Sequence, residues 1–415
     1  METVARYLSR KQKEIHLLNA CLEKPIEFKR PGSVADVIEQ KFQIAAAIKS
    51  EHALRDWAHT ETAWAHNEKL KTGPFKFSYD YQRADLSAQG PPVYRFIETE
   101  GCETLYTSSG MAAISAVLMA CTKVIPHGDL LALPGTYSET IEFIQNYMPQ
   151  HRLVDVERLG TRRTDTPQIL LLDSCIPAAF FAPSLRIEPP PLDLIIFDTT
   201  CFACSSGWIR RVLRWARAGK IPVVLVRSHT KLDSLGVEYG RLGSAVFAGE
   251  TDGGSQAKAL LATIIEETRT AIRLFGGAAL PTHFPPFVGA KAYRELTVQR
   301  VAAILHNGRR TARHFAAAML GLTAELHFTH GLYVTLASPR LTDESKTREV
   351  VTKLCDDLRE RGLPLRHAGS FGFDFGAAEW ASDQIHDRYV VRIAVPDLPT
   401  EVWETVNKGI VEQWS

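Results

Sequence analysis

Apolar residues follow three different patterns along the chain, and each predicts a different kind of structure. Up to about residue 75 the sequence is mostly polar and helix-like. EKPIEFKRPGS reads as a loop, and a long helix is expected from about Val34 to Leu70, where KTGP breaks it. From Glu103 short apolar runs alternate with amphipathic segments. ETLYTSS, DLLALP, QILLLDS, DLIIFDTT and IPVVLVRS read as strands; MAAISAVLMACTKV, SETIEFIQNYM and GWIRRVLRWARA read as helices. Continuous Val/Ile/Leu runs mark strands covered on both faces, and helices between them imply parallel crossovers.

After about Gly253 the pattern changes again. Two long helices are expected over Ser255–Leu274 and Ala290–Leu320, separated by GGAALPTHFPPF. The tail reads strand (HGLYVTLAS), helix (ESKTREVVTKLCDDLRERG), strand (RYVVRIAV) and helix (TEVWETVNKGIVEQ). The expected organisation is an N-terminal helical segment over residues 1–80, a large α/β domain over 81–285 with a doubly wound, mostly parallel sheet, and a smaller α+β domain over 286–415.

Composition narrows the class without choosing a function. A chain of 415 residues is long enough for a large core in two to three domains. With 48 basic and 47 acidic residues there is no basic surplus of the kind that binds nucleic acid or a membrane surface. No apolar run approaches the roughly 20 residues that span a bilayer. The opening METVARYLSRKQKEIHLL lacks the apolar block of a signal peptide, and seven scattered cysteines suit free thiols in a reducing compartment. A cytoplasmic enzyme is the expectation.

In an open α/β sheet, ligands sit beyond the carboxyl ends of the strands, so polar residues directly after apolar runs are the first candidates. Three groups qualify: Ser108, Ser109 and Gly110; Asp198; and Ser228, His229, Thr230 and Lys231. Singly they are ordinary, namely a strand-to-helix turn, a helix cap and a surface lysine. Together they form an anion cradle at a helix start, a carboxylate and a lysine at one sheet edge. That set suits pyridoxal phosphate (PLP): phosphate on the helix start, ring nitrogen on the aspartate, Schiff base on the lysine.

With these motifs in place the chain resembles the PLP-dependent enzymes of cysteine and methionine metabolism, the group of cystathionine γ-synthases and γ-lyases, over about Tyr81 to Arg392. Tyr81-Gln82-Arg83 is similar to a Tyr-x-Arg whose side chains reach the cofactor phosphate of a neighbouring subunit. Ser109-Gly110-Met111 is similar to the Ser-Gly-Met phosphate turn, and Tyr137-Ser138-Glu139-Thr140, after Gly128-Asp129, to the segment whose tyrosine stacks on the cofactor ring. Asp198-Thr199-Thr200 is similar to Asp-Asn-Thr, and Ser228-His229-Thr230-Lys231 to Ser-x-Thr-Lys. Leu296 to Asn307 resembles the helix leading into the small domain, Ser370-Phe371-Gly372 the Ser-Leu-Gly strand, and Val391-Arg392-Ile393 the strand whose arginine holds the substrate carboxylate.

The resemblance implies a fold-type-I PLP-dependent transferase, aspartate-aminotransferase-like in architecture, working as a homodimer or homotetramer with shared active sites. It implies Lys231, Tyr137 and Asp198 as catalytic residues. The cofactor would be held by Ser109, Gly110, Met111, Tyr137, Asp198, Thr200, Ser228, Thr230, Lys231, Tyr81 and Arg83, and the substrate by Arg392 and Ser370. The implied activity is γ-elimination or γ-replacement on a γ-substituted amino acid. β-Elimination, transamination, carbon–carbon bond formation and a non-catalytic PLP-binding regulator remain open.

Two departures fall on the substrate side. Ala84-Asp85-Leu86-Ser87 stands where the family has Asn-Pro-Thr, and Leu232-Asp233-Ser234-Leu235-Gly236-Val237 has one residue more than the family's Tyr-x-x-Gly-His. Cys201 and Cys204 form a lone CxxC that reads as packing rather than as a zinc site. His229 reads either as a cofactor contact or as structural.

Overall fold

The computed structural model describes residues 2–56, 73–78, 87–89, 102–160, 165–239, 241–249, 255–319, 323–327, 331–339, 341–383 and 386–414. In chain order the elements are α1 (Val4–Asn19), α2 (Val34–Asp56), β1 (Lys76–Ser78), β2 (Ser87–Gln89), β3 (Glu103–Thr107), α3 (Gly110–Val124), β4 (Gly128–Ala132), α4 (Ser138–Tyr147), β5 (His151–Asp155), β6 (Gln168–Asp173), α5 (Ala178–Ser184), β7 (Leu194–Asp198), α6 (Gly207–Ala218), β8 (Val223–Ser228) and β9 (Gly243–Ala248). They continue as α7 (Ser255–Phe275), α8 (Lys291–Ala318), β10 (Thr323–His327), β11 (Tyr333–Ala337), α9 (Glu344–Glu360), β12 (Leu365–His367), β13 (Gly376–Asp383), β14 (Arg388–Ala394) and α10 (Thr400–Trp414). Two compact units result: a large one of His52–Thr230 and Gly240–Val288, and a small one of Met1–Glu51, Lys231–Tyr239 and Gly289–Ser415. No helix among the described residues is long and apolar enough to cross a membrane.

The large unit is built on a seven-stranded sheet in the order β3-β9-β8-β7-β6-β4-β5. From β8 through to β5 neighbours run parallel, and β9 pairs antiparallel with both β8 and β3. The apolar runs are unbroken because both faces are covered. Ile169, Leu171, Leu194, Ile196, Val224 and Val226 point into one core with α3 and α7, and Leu170, Leu172, Ile195, Phe197, Val223 and Leu225 into another with α5 and α6. Each such side chain contributes about 1.5–3 kcal/mol by leaving water. The parallel strands all end on one edge, which collects the residues that follow them.

The small unit holds a five-stranded sheet, β10-β11-β14-β13-β12, antiparallel except for β12 against β13. Its core joins Val334, Leu336, Val391 and Ile393 of the sheet to Leu354 and Leu358 of α9, Trp403 and Val406 of α10, and Tyr7 of α1. Strands β12 and β13 were not legible in the sequence: GAAEWASD is poor in β-branched residues, and pairing with β14 imposes its conformation. Strands β5, β9 and β10 were likewise not expected.

Helix α1 is fixed in this unit by buried charge. Arg10 pairs with Glu2, Glu14 and Asp397 at 2.7–2.9 Å; Lys11 with Glu14, Asp374 and Asp397 at 2.5–2.9 Å. Lys41 of α2 reaches Glu14 and Asp374 at 2.7 and 2.8 Å, and Arg300 of α8 reaches Asp374 and Asp397 at 2.6 and 3.0 Å. Four cations therefore face four carboxylates. Burying any one of these charges alone is prohibitive, so the set stands or falls together. Lys11 and Arg300 hold the Asp397 carboxyl well below the usual carboxylate range against the opposing effect of burial, and Arg300, Lys11 and Lys41 do the same for Asp374.

Candidate active site

In the large unit the edge begins at β3. Ser109, extended at φ −167°, caps α3 by accepting the N–H of Ala112 at 3.0 Å. The first-turn N–H groups of α3, those of Gly110 and Met111, have no intrahelical carbonyl to donate to and make an anion-binding end. Gly110 is required by space: a Cβ there would stand 2.8 Å from the Cβ of Ser228. The Met111 side chain packs against the core, which leaves only its backbone facing the site.

Two strands away, Ser228 and Thr230 place their hydroxyls 3.0 Å apart, and the Ser228 N–H donates to the Thr200 hydroxyl at 3.0 Å. Asp198 ends β7 and accepts the Thr200 N–H at 2.7 Å. Burial pushes its carboxyl above the ordinary value, opposed by its Thr200 hydrogen bonds and by Arg227. The Arg227 guanidinium donates to the carbonyls of Thr199 and Phe202. A cation placed against Asp198 would relieve this cost.

Beside Asp198, in register on β6, is Asp173, which the sequence reading did not single out. It accepts the N–H of Cys175 at 2.7 Å and of Tyr137 at 3.0 Å, so it positions the residue that opens α4. Burial, and next the charge of Asp198, raise its carboxyl to about 7. The signal was available, since Asp173 ends its apolar run as Asp198 does. Tyr137 remains 37% exposed, enough to offer a ring face, and burial followed by Glu139 raises its phenol above the ordinary value.

Cys201 meets Cys175 at 3.5 Å rather than pairing with Cys204, and His229 is buried with Nε2 2.7 Å from the Ser244 hydroxyl. Tyr81 and Arg83 lie outside the described residues.

In the small unit the loop 231–239 begins at Lys231, the residue after Thr230. The Lys231 ammonium donates to the Ser370 hydroxyl. Gly372, at φ +88°, lets the Ser370–Gly372 turn meet the lysine backbone, since a Cβ there would come within 2.8 Å of the Lys231 carbonyl oxygen. Leu235 and Glu238 adopt positive φ, 51° and 44°, costing about 1–3 kcal/mol each, so the loop is held by others. Lys41 donates to the Leu235 carbonyl, the Tyr293 hydroxyl to that of Asp233 at 2.9 Å, and Arg300 to those of Gly372 and Phe373 at 2.7 Å. The buried charge network thus grips both the lysine loop and the Ser370 loop.

Arg392, at the middle of β14, lies over the Tyr333 ring at 5.3 Å and pairs with Glu379 of β13 at 3.0 Å. Glu379 is the second residue missed, because the strand that carries it was not expected.

The residues fit PLP. The α3 start with Ser228 and Thr230 suits a phosphate, Asp198 is a buried carboxylate suited to a protonated ring nitrogen, and Lys231 is the third residue after β8 ends.

No family profile matches the sequence, and no curated protein matches it. Solved structures do. The chain is similar to the metB product of Corynebacterium glutamicum, with TM-score 0.53 at 14% identity over 89% of this chain and 98% of that one. It is similar also to cystathionine γ-synthase from Xanthomonas oryzae pv. oryzae, solved in complex with aminoacrylate and cysteine, with TM-score 0.54 at 14% identity over 87% and 98%. The fold is the one the sequence resemblance implies: a large doubly wound sheet domain and a second, smaller α+β domain.

Proposed function

We propose that the chain is a PLP-dependent enzyme that acts on an α-amino acid, by elimination or replacement of a group on its γ-carbon. The observation that carries this reading is the sheet edge: Gly110 against Ser228, the Ser228–Thr230 hydroxyl pair, and the buried, charge-disfavoured Asp198, followed in the chain by Lys231. The shared fold with cystathionine γ-synthase supports it.

When bound, PLP supplies the electron sink that makes the substrate α-proton removable. The protein's own residues do the rest. Asp198 keeps the ring nitrogen protonated, while the α3 start with Ser228 and Thr230 takes the phosphate. Lys231 would hold the cofactor, and its amine would be the group that moves protons at the substrate α- and β-carbons. Tyr137, tethered through its N–H to Asp173, covers the ring and assists proton movement. Arg392 and Ser370 hold the carboxyl end, which fixes the bond to be broken. By the sequence resemblance, Tyr81 and Arg83 would complete the phosphate site from a neighbouring subunit, in a homodimer or homotetramer.

Departure of the lysine loop from the family pattern, with Leu235 and Glu238 at positive φ, favours a substrate other than the usual sulfur amino acids. The test is spectral. Protein reconstituted with PLP should show the visible band of lysine-bound cofactor, and Lys231→Ala should lose it; a variant that keeps the band refutes the assignment. A panel of γ-substituted amino acids, with released keto acid and ammonia measured, then distinguishes elimination from replacement, β-elimination and transamination.

A further inference from the structure

Arg392 would be the anchor for a substrate carboxylate, yet this chain already places a carboxylate against it. Glu379 and Arg392 are direct partners across the antiparallel β13–β14 pair, and the guanidinium meets Oε1 of Glu379 at 3.0 Å. The pair is half-buried, with 26% of the Arg392 side chain and 13% of the Glu379 side chain exposed, so solvent screens it only in part. Burial raises the Glu379 carboxyl above its ordinary value and Oε1 makes no hydrogen bond among the described residues; Arg392 and the Tyr333 hydroxyl oppose that shift. Gly369 leaves the space, since a Cβ there would lie 2.9 Å from Oε2, and the Tyr333 hydroxyl bonds to Glu379 while its ring lies under Arg392. Lys231 acts on the same carboxylate through its charge, which puts Glu379 in the electrostatic field of the candidate catalytic lysine.

The consequence is arithmetic of charge. An unpaired arginine offers a positive seat that a free carboxylate fills. A paired one offers a neutral seat, and a second carboxylate entering it meets the repulsion of Glu379. Donor capacity survives: Nε of Arg392 is buried with no hydrogen-bond acceptor among the described residues. An N–H donor in a charge-balanced seat suits an uncharged carbonyl oxygen.

We propose that Glu379 is a specificity-determining residue that turns the carboxyl seat from one for a free carboxylate into one for a neutral acyl group, so that the substrate is an amino acid whose carboxyl is an amide, ester or thioester. This rests on the PLP reading above.

The test uses the PLP-loaded protein and two probes without a γ-leaving group, L-norvaline and L-norvaline amide, with Kd read from calorimetry and from the cofactor spectrum. The wild type should bind the amide at least as tightly as the acid, a comparison that needs no variant. Glu379→Gln should tighten binding of the acid by about tenfold or more while changing the amide by less than about threefold. A wild type that prefers the acid by about tenfold, or a Glu379→Gln protein in which acid binding is unchanged or weaker, overturns the proposal. Failure of the underlying reading has its own signature, a wild type that takes up no PLP, and that result overturns both.

Discussion

Two clusters of buried carboxylates use the same residue types to opposite effect. In the small unit Glu14, Asp374 and Asp397 face Arg10, Lys11, Lys41 and Arg300 at ion-pair distance, and their pKa values fall. In the large unit Asp173 and Asp198 are neighbours in register at the ends of β6 and β7, and both pKa values rise. One cluster is complete and holds helices and loops in place. The other carries a cost that a bound cation would remove, as expected of a binding site. Burial is common to both clusters, so what moves their carboxyls in opposite directions is the charge around them.

The sharpest way to break this contrast is to unbalance the complete cluster. Asp374→Ala leaves Lys11, Lys41 and Arg300 short of a partner and should cost about 3–5 kcal/mol, read as a lowered midpoint in urea. A loss under about 1 kcal/mol would mean that the network holds little.

The pH dependence should separate the clusters next. For Asp374 and Asp397 the folded pKa lies below the unfolded value, near 4, so their contribution is present above that pH and lost as pH falls through the folded pKa. For Asp173, raised to about 7, the folded state holds its proton more firmly than the unfolded chain does. Its contribution is therefore full below about 4 and lost as pH rises through 7. The unfolding free energy of the cofactor-free wild type, taken relative to that of Asp173→Asn, should therefore fall between pH 5 and pH 8. An unchanged slope in the variant would contradict the assignment. The smallest effect belongs to a pair outside both clusters: Arg359 and Asp356 meet on α9 at 2.9 Å with side chains 57% and 47% exposed, and Asp356→Asn should change stability by less than about 1 kcal/mol.

Legibility in the sequence followed the range of the interactions. The strands that end at Asp198 and Ser228 and helices α3, α6, α7 and α8 were readable, because continuous apolar runs and helical periodicity are local signals. The Ser109-Gly110 turn and the Ser228-to-Lys231 run were readable for the same reason. The charge network was not, since it joins residues as far apart as Lys11 and Asp374, each of which reads alone as a surface residue. Glu379 was hidden by a strand rich in Gly and Ala that forms by pairing with β14 and β12, and Asp173 was overlooked beside the more familiar Asp-Thr-Thr at 198.

The proposed chemistry requires a covalent bond between the cofactor and one side chain. Borohydride reduction of the PLP-loaded protein, followed by peptide mapping, locates that bond directly. A single pyridoxyl label on Lys231 is expected; label spread over surface lysines, or absent from the peptide that contains residue 231, rules the assignment out.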